Sequence, residues 1–149
     1  ANDQATRLIN LIKTIQSDKT TLLTKLVHQW FEQFDILPES SDYFTQYLSD
    51  DIHWEMGDDV FAGHSGFNDW YQIARSSFLP GPQHIVEQVE VKQLDDHYEL
   101  DLRIRFIAET APMSAFKGNS LNVLVNETWT VTVDENDKPT ITRYVASPV

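Results

Sequence analysis

A glutamate stands where the surrounding pattern asks for an apolar residue. From Leu121 to Val133 the chain alternates, with Leu121, Val123, Val125, Glu127, Trp129, Val131 and Val133 on one face. Asn122, Leu124, Asn126, Thr128, Thr130 and Thr132 form the other. A carboxylate on the apolar face is costly to bury unless it is hydrogen-bonded or takes up a proton. Desolvation raises its pKa toward neutrality, where a general acid or general base works best. Glu127 is therefore the first candidate for chemistry. Its other reading is a carboxylate paired with an arginine, or one placed at an open end of the sheet. His84 is the second candidate. It follows a proline turn and opens a strand, and histidine exchanges protons near pH 7. Its alternative is a strand-edge histidine bonded to a backbone carbonyl. Ile85, Val89 and Val91 suggest that odd positions of this strand face inward, so His84 and Val86 could do so only with a bulge.

Other chemistries lack their residues. Zero cysteine excludes disulfides, thiolate catalysis and Cys-based zinc or iron–sulfur sites. His28, His53, His64, His84 and His97 include no HxH, no HExxH and no helical i, i+4 pair, so no metal site is expected. There is no Gly-rich phosphate loop, no GxSxG elbow and no dinucleotide fingerprint. Proton transfer in a desolvated site needs no cofactor, and none is expected.

The elements that must position these groups follow from periodicity. Leu8, Ile9, Ile12 and Ile15 recur at helical spacing. Ser17-Asp18 then offers N-caps for a second helix. Its stripe is Leu22, Leu23, Leu26, Val27, Trp30, Phe31 and Phe34, and it should stop near Pro38. A short helix is expected from Ser41 to Leu48, a short strand over Ile52–Met56, an acidic turn at Gly57-Asp58-Asp59, and a helix from Ser65 to Phe78. After Pro80-Gly81-Pro82 the chain reads as strands: Ile85–Leu94, then about Glu99–Ala108, then Leu121–Val133, then Thr140–Ala146. The looser segment Thr110–Ser120 could act as a lid through Phe116. Trp54, Trp70, Trp129 and Phe116 are candidate pocket walls. Helices first and antiparallel strands last imply an α+β fold. Strands of ten or more residues must twist and curl, and a curled sheet with helices on its concave side encloses a cone-shaped cavity.

Length and charge bound the answer further. A chain of 149 residues is read as one domain over 1–149, with 1–16 as an extra N-terminal helix. With 11 Lys+Arg against 23 Asp+Glu, the net charge of −12 argues against a nucleic-acid partner and against a polybasic membrane patch. No apolar run approaches the roughly 18 residues of a membrane span and no leader pattern is visible, so a cytoplasmic protein is expected.

Several segments together resemble the nuclear transport factor 2-like superfamily, and within it the SnoaL-like polyketide cyclase and ketosteroid isomerase branch. They are Trp30-Phe31-Glu32-Gln33-Phe34; Tyr47-Leu48-Ser49-Asp50-Asp51-Ile52-His53-Trp54; Gly63-His64-Ser65-Gly66-Phe67; Gln83-His84-Ile85-Val86; and Glu127-Thr128-Trp129 with Ile141-Thr142-Arg143-Tyr144. The resemblance spans roughly Thr20 to Val149. It implies a cone-shaped, cystatin-like α+β barrel with N-terminal helices packed on a curved, mostly antiparallel sheet.

The same resemblance bears on the site. Isomerases and cyclases of this kind place a catalytic acid on the late strand, close to Glu127. Dehydratases of the scytalone type carry a histidine in a setting similar to Gln83-His84-Ile85. Met56 falls where the isomerases have their proton-shuttling aspartate. Trp30 or Phe31 falls where they have an oxyanion-hole tyrosine. These two departures argue against steroid isomerase activity and leave Met56 and Trp30 as ligand contacts beside Trp54, Trp129 and Phe116. Asp101-Leu102-Arg103 is similar to the Asp/Arg arrangement of limonene epoxide hydrolases, but lies opposite the apolar face. With Glu99 and Arg105 it reads as outer-sheet salt bridges or as the surface through which a homodimer forms. The implied function is a cofactor-independent lyase, isomerase or cyclase acting on a small apolar carbonyl compound. The alternatives are a non-catalytic ligand-binding or dimerisation module and an accessory subunit of a larger enzyme.

Overall fold

The computed structural model describes the backbone from Asn2 to Val149 and the side chains from Asp3 onward, save those of residues 15–17. The expected contributions of the Ile15 and Ser17 side chains therefore lie outside the described residues. One helix, α1 (Asn2–Ile36), replaces the two expected from the sequence. No break occurs at Ser17-Asp18. Cap-type residues interrupt a helix only when the backbone turns there, and here the helical hydrogen bonds run on. The second half of α1 carries the anticipated stripe, with Leu23, Leu26, Val27, Trp30, Phe31 and Phe34 buried. The first half leaves Leu8, Ile9, Leu11 and Ile12 exposed. The helix ends at Leu37, whose φ of +50° turns the chain into Pro38.

Next come α2 (Asp42–Thr45), β1 (Leu48–Met56), β2 (Asp59–Ala62) and α3 (Gly63–Ser77), then β3 (Gln83–Gln93), β4 (Tyr98–Glu109), β5 (Ser120–Val133) and β6 (Pro139–Pro148). β1 is longer than expected, and α2 correspondingly shorter. β2 begins on Asp59, the last residue of the expected acidic turn, and its 4 residues are too few to show an alternation. All 6 strands form a single sheet in the order β2-β1-β6-β5-β4-β3. β1 runs parallel to β6 and the other pairings are antiparallel. No helix among the described residues is long and apolar enough to cross a membrane.

The inward side chains fall into rows across the sheet. Trp54, Tyr144, Trp129, Leu100 and Val91 make one row. Met56, Ala146, Glu127, Leu102 and Val89 make the next. Val125, Ile104 and Val86 follow, and then Val123, Phe106 and His84. The first row is packed solid. Trp54 stacks on Tyr144 at 3.9 Å, and Trp30 of α1 meets Trp129 edge-on at 5.4 Å. In the next two rows large rings give way to smaller side chains, and space opens between sheet and helices.

α3 enters its position through one glycine. A Cβ on Gly66 would lie 2.8 Å from the carbonyl carbon of Phe61, on the backbone of β2. The clash is with backbone, so α3 or β2 must shift to admit a methyl group. Gly66→Ala should therefore cost about 1–3 kcal/mol and lower the melting temperature by roughly 3–10 °C in a thermal unfolding scan. An unchanged midpoint would show that this helix–strand contact is loose.

Candidate active site

Glu127 sits in the middle of β5, directly above the aromatic row, and is only 7% exposed. The indole N–H of Trp129 donates to its Oε1 at 3.0 Å. The Tyr144 hydroxyl lies close enough to its carboxyl group to favour the ionised form. The Trp30 indole N–H in turn reaches the Tyr144 oxygen at 3.4 Å. Two donors favour the carboxylate, yet burial outweighs them, and the Glu127 pKa is raised from 4.5 to about 7. Burial, and then the negative charge of Glu127, push the Tyr144 phenol well above its ordinary value. Tyr144 therefore stays protonated and remains a donor.

His84 faces the same interior, and the reason is a bulge. The β3–β4 register shifts between Val86 and Gln88. One extra residue, Glu87, lets His84 and Val86 point inward on one side of it, and Val89 and Val91 on the other. The imidazole stacks on Phe31 at 5.5 Å and leans against Phe106 at 4.7 Å. Asp35, in the last turn of α1, holds it from behind. One carboxylate oxygen, Oδ1, accepts the His84 backbone N–H at 2.7 Å and the ring Nδ1–H at 2.8 Å. A carboxylate only accepts, so the neutral ring carries its proton on Nδ1 and keeps a lone pair on Nε2.

Glu127 and His84 line one cavity of about 210 Å³. Phe31, Phe34 and Leu37 of α1 and its end, Trp70 and Ala74 of α3, and Phe78 beyond it form the helical wall. Met56, Ile104, Phe106, Val125, Tyr144 and Ala146 form the sheet wall. An acid and an oriented imidazole thus share an otherwise apolar chamber. That arrangement can move a proton off one atom of a bound molecule and onto another.

The remaining expected contacts divide. Met56 lines the cavity, as does Trp70. Trp54, Trp129 and Trp30 do not. They are fully buried in the packed row and in the helix above it. Their closeness to the site in sequence misled, because adjacent rows on one sheet face differ by two residues and only one of them borders the space. Phe116 is also outside the lining, and is 39% exposed. It stacks at 5.7 Å on Phe78, which does line the cavity. Glu55 stays on the opposite face from Trp54 and bonds to His53 at 2.9 Å. Asp101, Arg103 and Arg105 lie on the outer face, where Lys92 meets Asp101 at 3.1 Å and Arg105 meets Glu87 at 3.0 Å. Asp35 was missed. The available signal was an acid in the last turn of a helix, where the backbone dipole favours cations.

No family model matches this chain, and no curated protein matches it in sequence. Solved structures do. A protein from Streptomyces avermitilis, provisionally named a dehydratase of the NTF2-like family, superposes with a TM-score of 0.72 at 13% identity, covering 89% of this chain and 98% of that one. A provisionally named ketosteroid isomerase from Shewanella frigidimarina gives 0.67 at 15% identity, covering 83% and 92%. An uncharacterised Caulobacter vibrioides protein with a cystatin-like fold gives 0.71 at 10% identity, covering 89% and 90%. At such identities the likeness carries architecture alone, and on it the chain has a cystatin-like α+β fold.

Proposed function

We propose that this chain is a cofactor-independent acid/base catalyst, a lyase that removes water from a small apolar hydroxy-carbonyl compound. One observation carries the reading: Glu127 and the Asp35-held His84 border the same apolar cavity. His84 Nε2 takes the proton from the carbon beside the carbonyl. The electron pair left behind forms the new carbon–carbon double bond. The carbon–oxygen bond of the hydroxyl breaks as protonated Glu127 donates to the departing oxygen, and water leaves. Proton return from His84 to Glu127 through solvent restores both groups. The solved structures of similar fold that are provisionally named dehydratase and isomerase support proton chemistry of this kind in such a scaffold. Met56 favours a second reading, a binding module without turnover. A thioether cannot relay a proton, and Met56 borders the cavity beside Ala146 and one position further along the same row from Glu127.

Deuterium exchange at the α-carbon of cyclohexanone in heavy water separates the two readings. The catalyst should accelerate exchange, and His84→Gln should slow it by roughly 100-fold or more. No acceleration by the unmodified chain would leave only the binding module. In a full dehydration assay, turnover should fall as pH rises through about 7, because the acid form of Glu127 is then lost. A rate that climbs through that region would make Glu127 a base instead.

Stability gives an independent check on Glu127. Its folded pKa lies above its unfolded one, so the folded state keeps a proton that the unfolded state has released. Stability is therefore lost as pH rises from about 4.5 to about 7, and is flat above that. Glu127→Gln should remove this dependence. Denaturant unfolding should show the variant gaining about 2–4 kcal/mol on wild type between pH 4 and pH 8. Parallel pH profiles for the two proteins would mean an ordinary carboxylate.

The outer face of β4 is the surface proposed for pairing with a second copy, through Glu99, Asp101, Arg103 and Arg105. Its mixed charges suit a two-fold contact, in which each sign meets the other. Sedimentation at micromolar concentration should give a dimer that Arg105→Glu dissociates. A monomeric wild type would overturn this.

A further inference from the structure

The size, lining and charge of the cavity narrow the ligand, taking the acid/base reading of Glu127 and His84 as the starting point. We infer that the site selects an uncharged, single-ring compound carrying a hydroxyl or carbonyl oxygen, and that Ala146 is the position that leaves room for it.

Size comes first. The cavity holds about 210 Å³. An apolar protein cavity of roughly 150 Å³ accepts benzene, whereas pockets for drug-sized ligands start near 300 Å³. One six-membered ring with a few substituent atoms fits between these limits. Two fused rings with substituents strain it, and a four-ring steroid would leave most of its rings outside it. The isomerase-like architecture therefore does not bring a steroid-sized chamber with it.

The lining sets the ligand's character. Phe31, Phe34, Trp70, Phe78, Phe106 and Tyr144 present rings to the space. Flat ring faces and edges match a flat or half-flat ring. No lysine or arginine is among the lining residues, and the ionisable groups there are Glu127 and His84, with Tyr144 kept neutral. The imidazole is already tied to the Asp35 carboxylate. A carboxylate or phosphate on the ligand would be desolvated beside Glu127 with no cation to meet it. The net charge of −12 repels such a ligand at longer range as well.

The ligand's oxygen has one deep polar station. Glu127 receives the Trp129 indole N–H on Oε1, and its free lone pairs, or its own O–H in the acid form, can meet a ligand hydroxyl or carbonyl. Space beside that station comes from Ala146, which pairs with Glu127 across β5–β6 and with Met56 across β1–β6. A larger side chain there would occupy the volume into which the ring must slide.

The test uses the full chain labelled with nitrogen-15. Its readout is the Trp129 indole N–H resonance, which reports directly on the Glu127 station. Probes are cyclohex-2-enone, 4-methylphenol, 2-naphthol, androst-4-ene-3,17-dione and benzoate. The first two should shift the resonance saturably and bind at least tenfold more tightly than the other three. Ala146→Leu should abolish the shift in a protein whose spectrum is otherwise folded, and Ala74→Leu on α3 serves as a second filling variant if the first does not fold. Naphthol or the steroid binding wild type as tightly as the single rings overturns the size limit. Benzoate binding as tightly overturns the charge selection, and silence from all five overturns the proposal entirely. The cyclohexanone exchange assay reports separately on the catalytic pair, so the acid/base reading can stand or fall on its own.

Discussion

The burial of one carboxyl group above a closed layer of rings is the constraint around which the interior is arranged. Trp54, Tyr144 and Trp129 fill one row of the sheet's inner face, and Trp30 closes it from the helix side. Glu127 stands on the next row, accepts the Trp129 indole N–H and lies beside the Tyr144 hydroxyl. The rings therefore serve two purposes. They seal the narrow end against water, which raises the carboxyl's proton affinity, and they supply the N–H and O–H groups that keep it from being an orphaned polar group. Were the layer aliphatic, the same carboxyl would be desolvated with no donors, a state that proteins avoid by rearranging.

The second ionisable group reaches the cavity by a different device. Strict alternation along β3 cannot bring both His84 and Val89 to one face. The bulge at Glu87 resolves this, and the exposed end of β3 then swings His84 over Phe31 and toward α1. Asp35 meets it there with both a backbone and a side-chain hydrogen bond to a single oxygen. Such a clamp fixes the ring's tautomer as well as its position, so the cavity is offered a lone pair rather than a proton.

Much of this architecture was legible in the residues. Strand alternation located β4 and β5 and singled out Glu127 as the anomaly. The apolar stripe from Leu22 to Phe34 located the packing half of α1 and its end near Pro38. Three things were not legible, for separate physical reasons. The Ser17-Asp18 cap signal went unused because nothing in the chain turns there, and a helix continues wherever its hydrogen bonds are not interrupted. β2 is too short to carry a period. The distinction between rings that line the cavity and rings that plug the core depends on which row of one sheet face borders empty space. Sequence spacing places Trp54, Trp129 and Met56 on one apolar side but cannot assign their depth. Asp35 escaped because its partner lies 49 residues away, on a strand whose facing was itself undecided.

Retained cost is the remaining argument. Holding Glu127 with a pKa raised by burial destabilises the fold at neutral pH. Leu37 adds a second cost, a left-handed backbone at a position where glycine would be relaxed, with its side chain contributing to the cavity wall. The bulge at Glu87 leaves a residue unpaired in the ladder. These three departures from the most stable solution converge on a single chamber. Together they shape about 210 Å³ of apolar space, which is what the proposed binding and proton transfer would need.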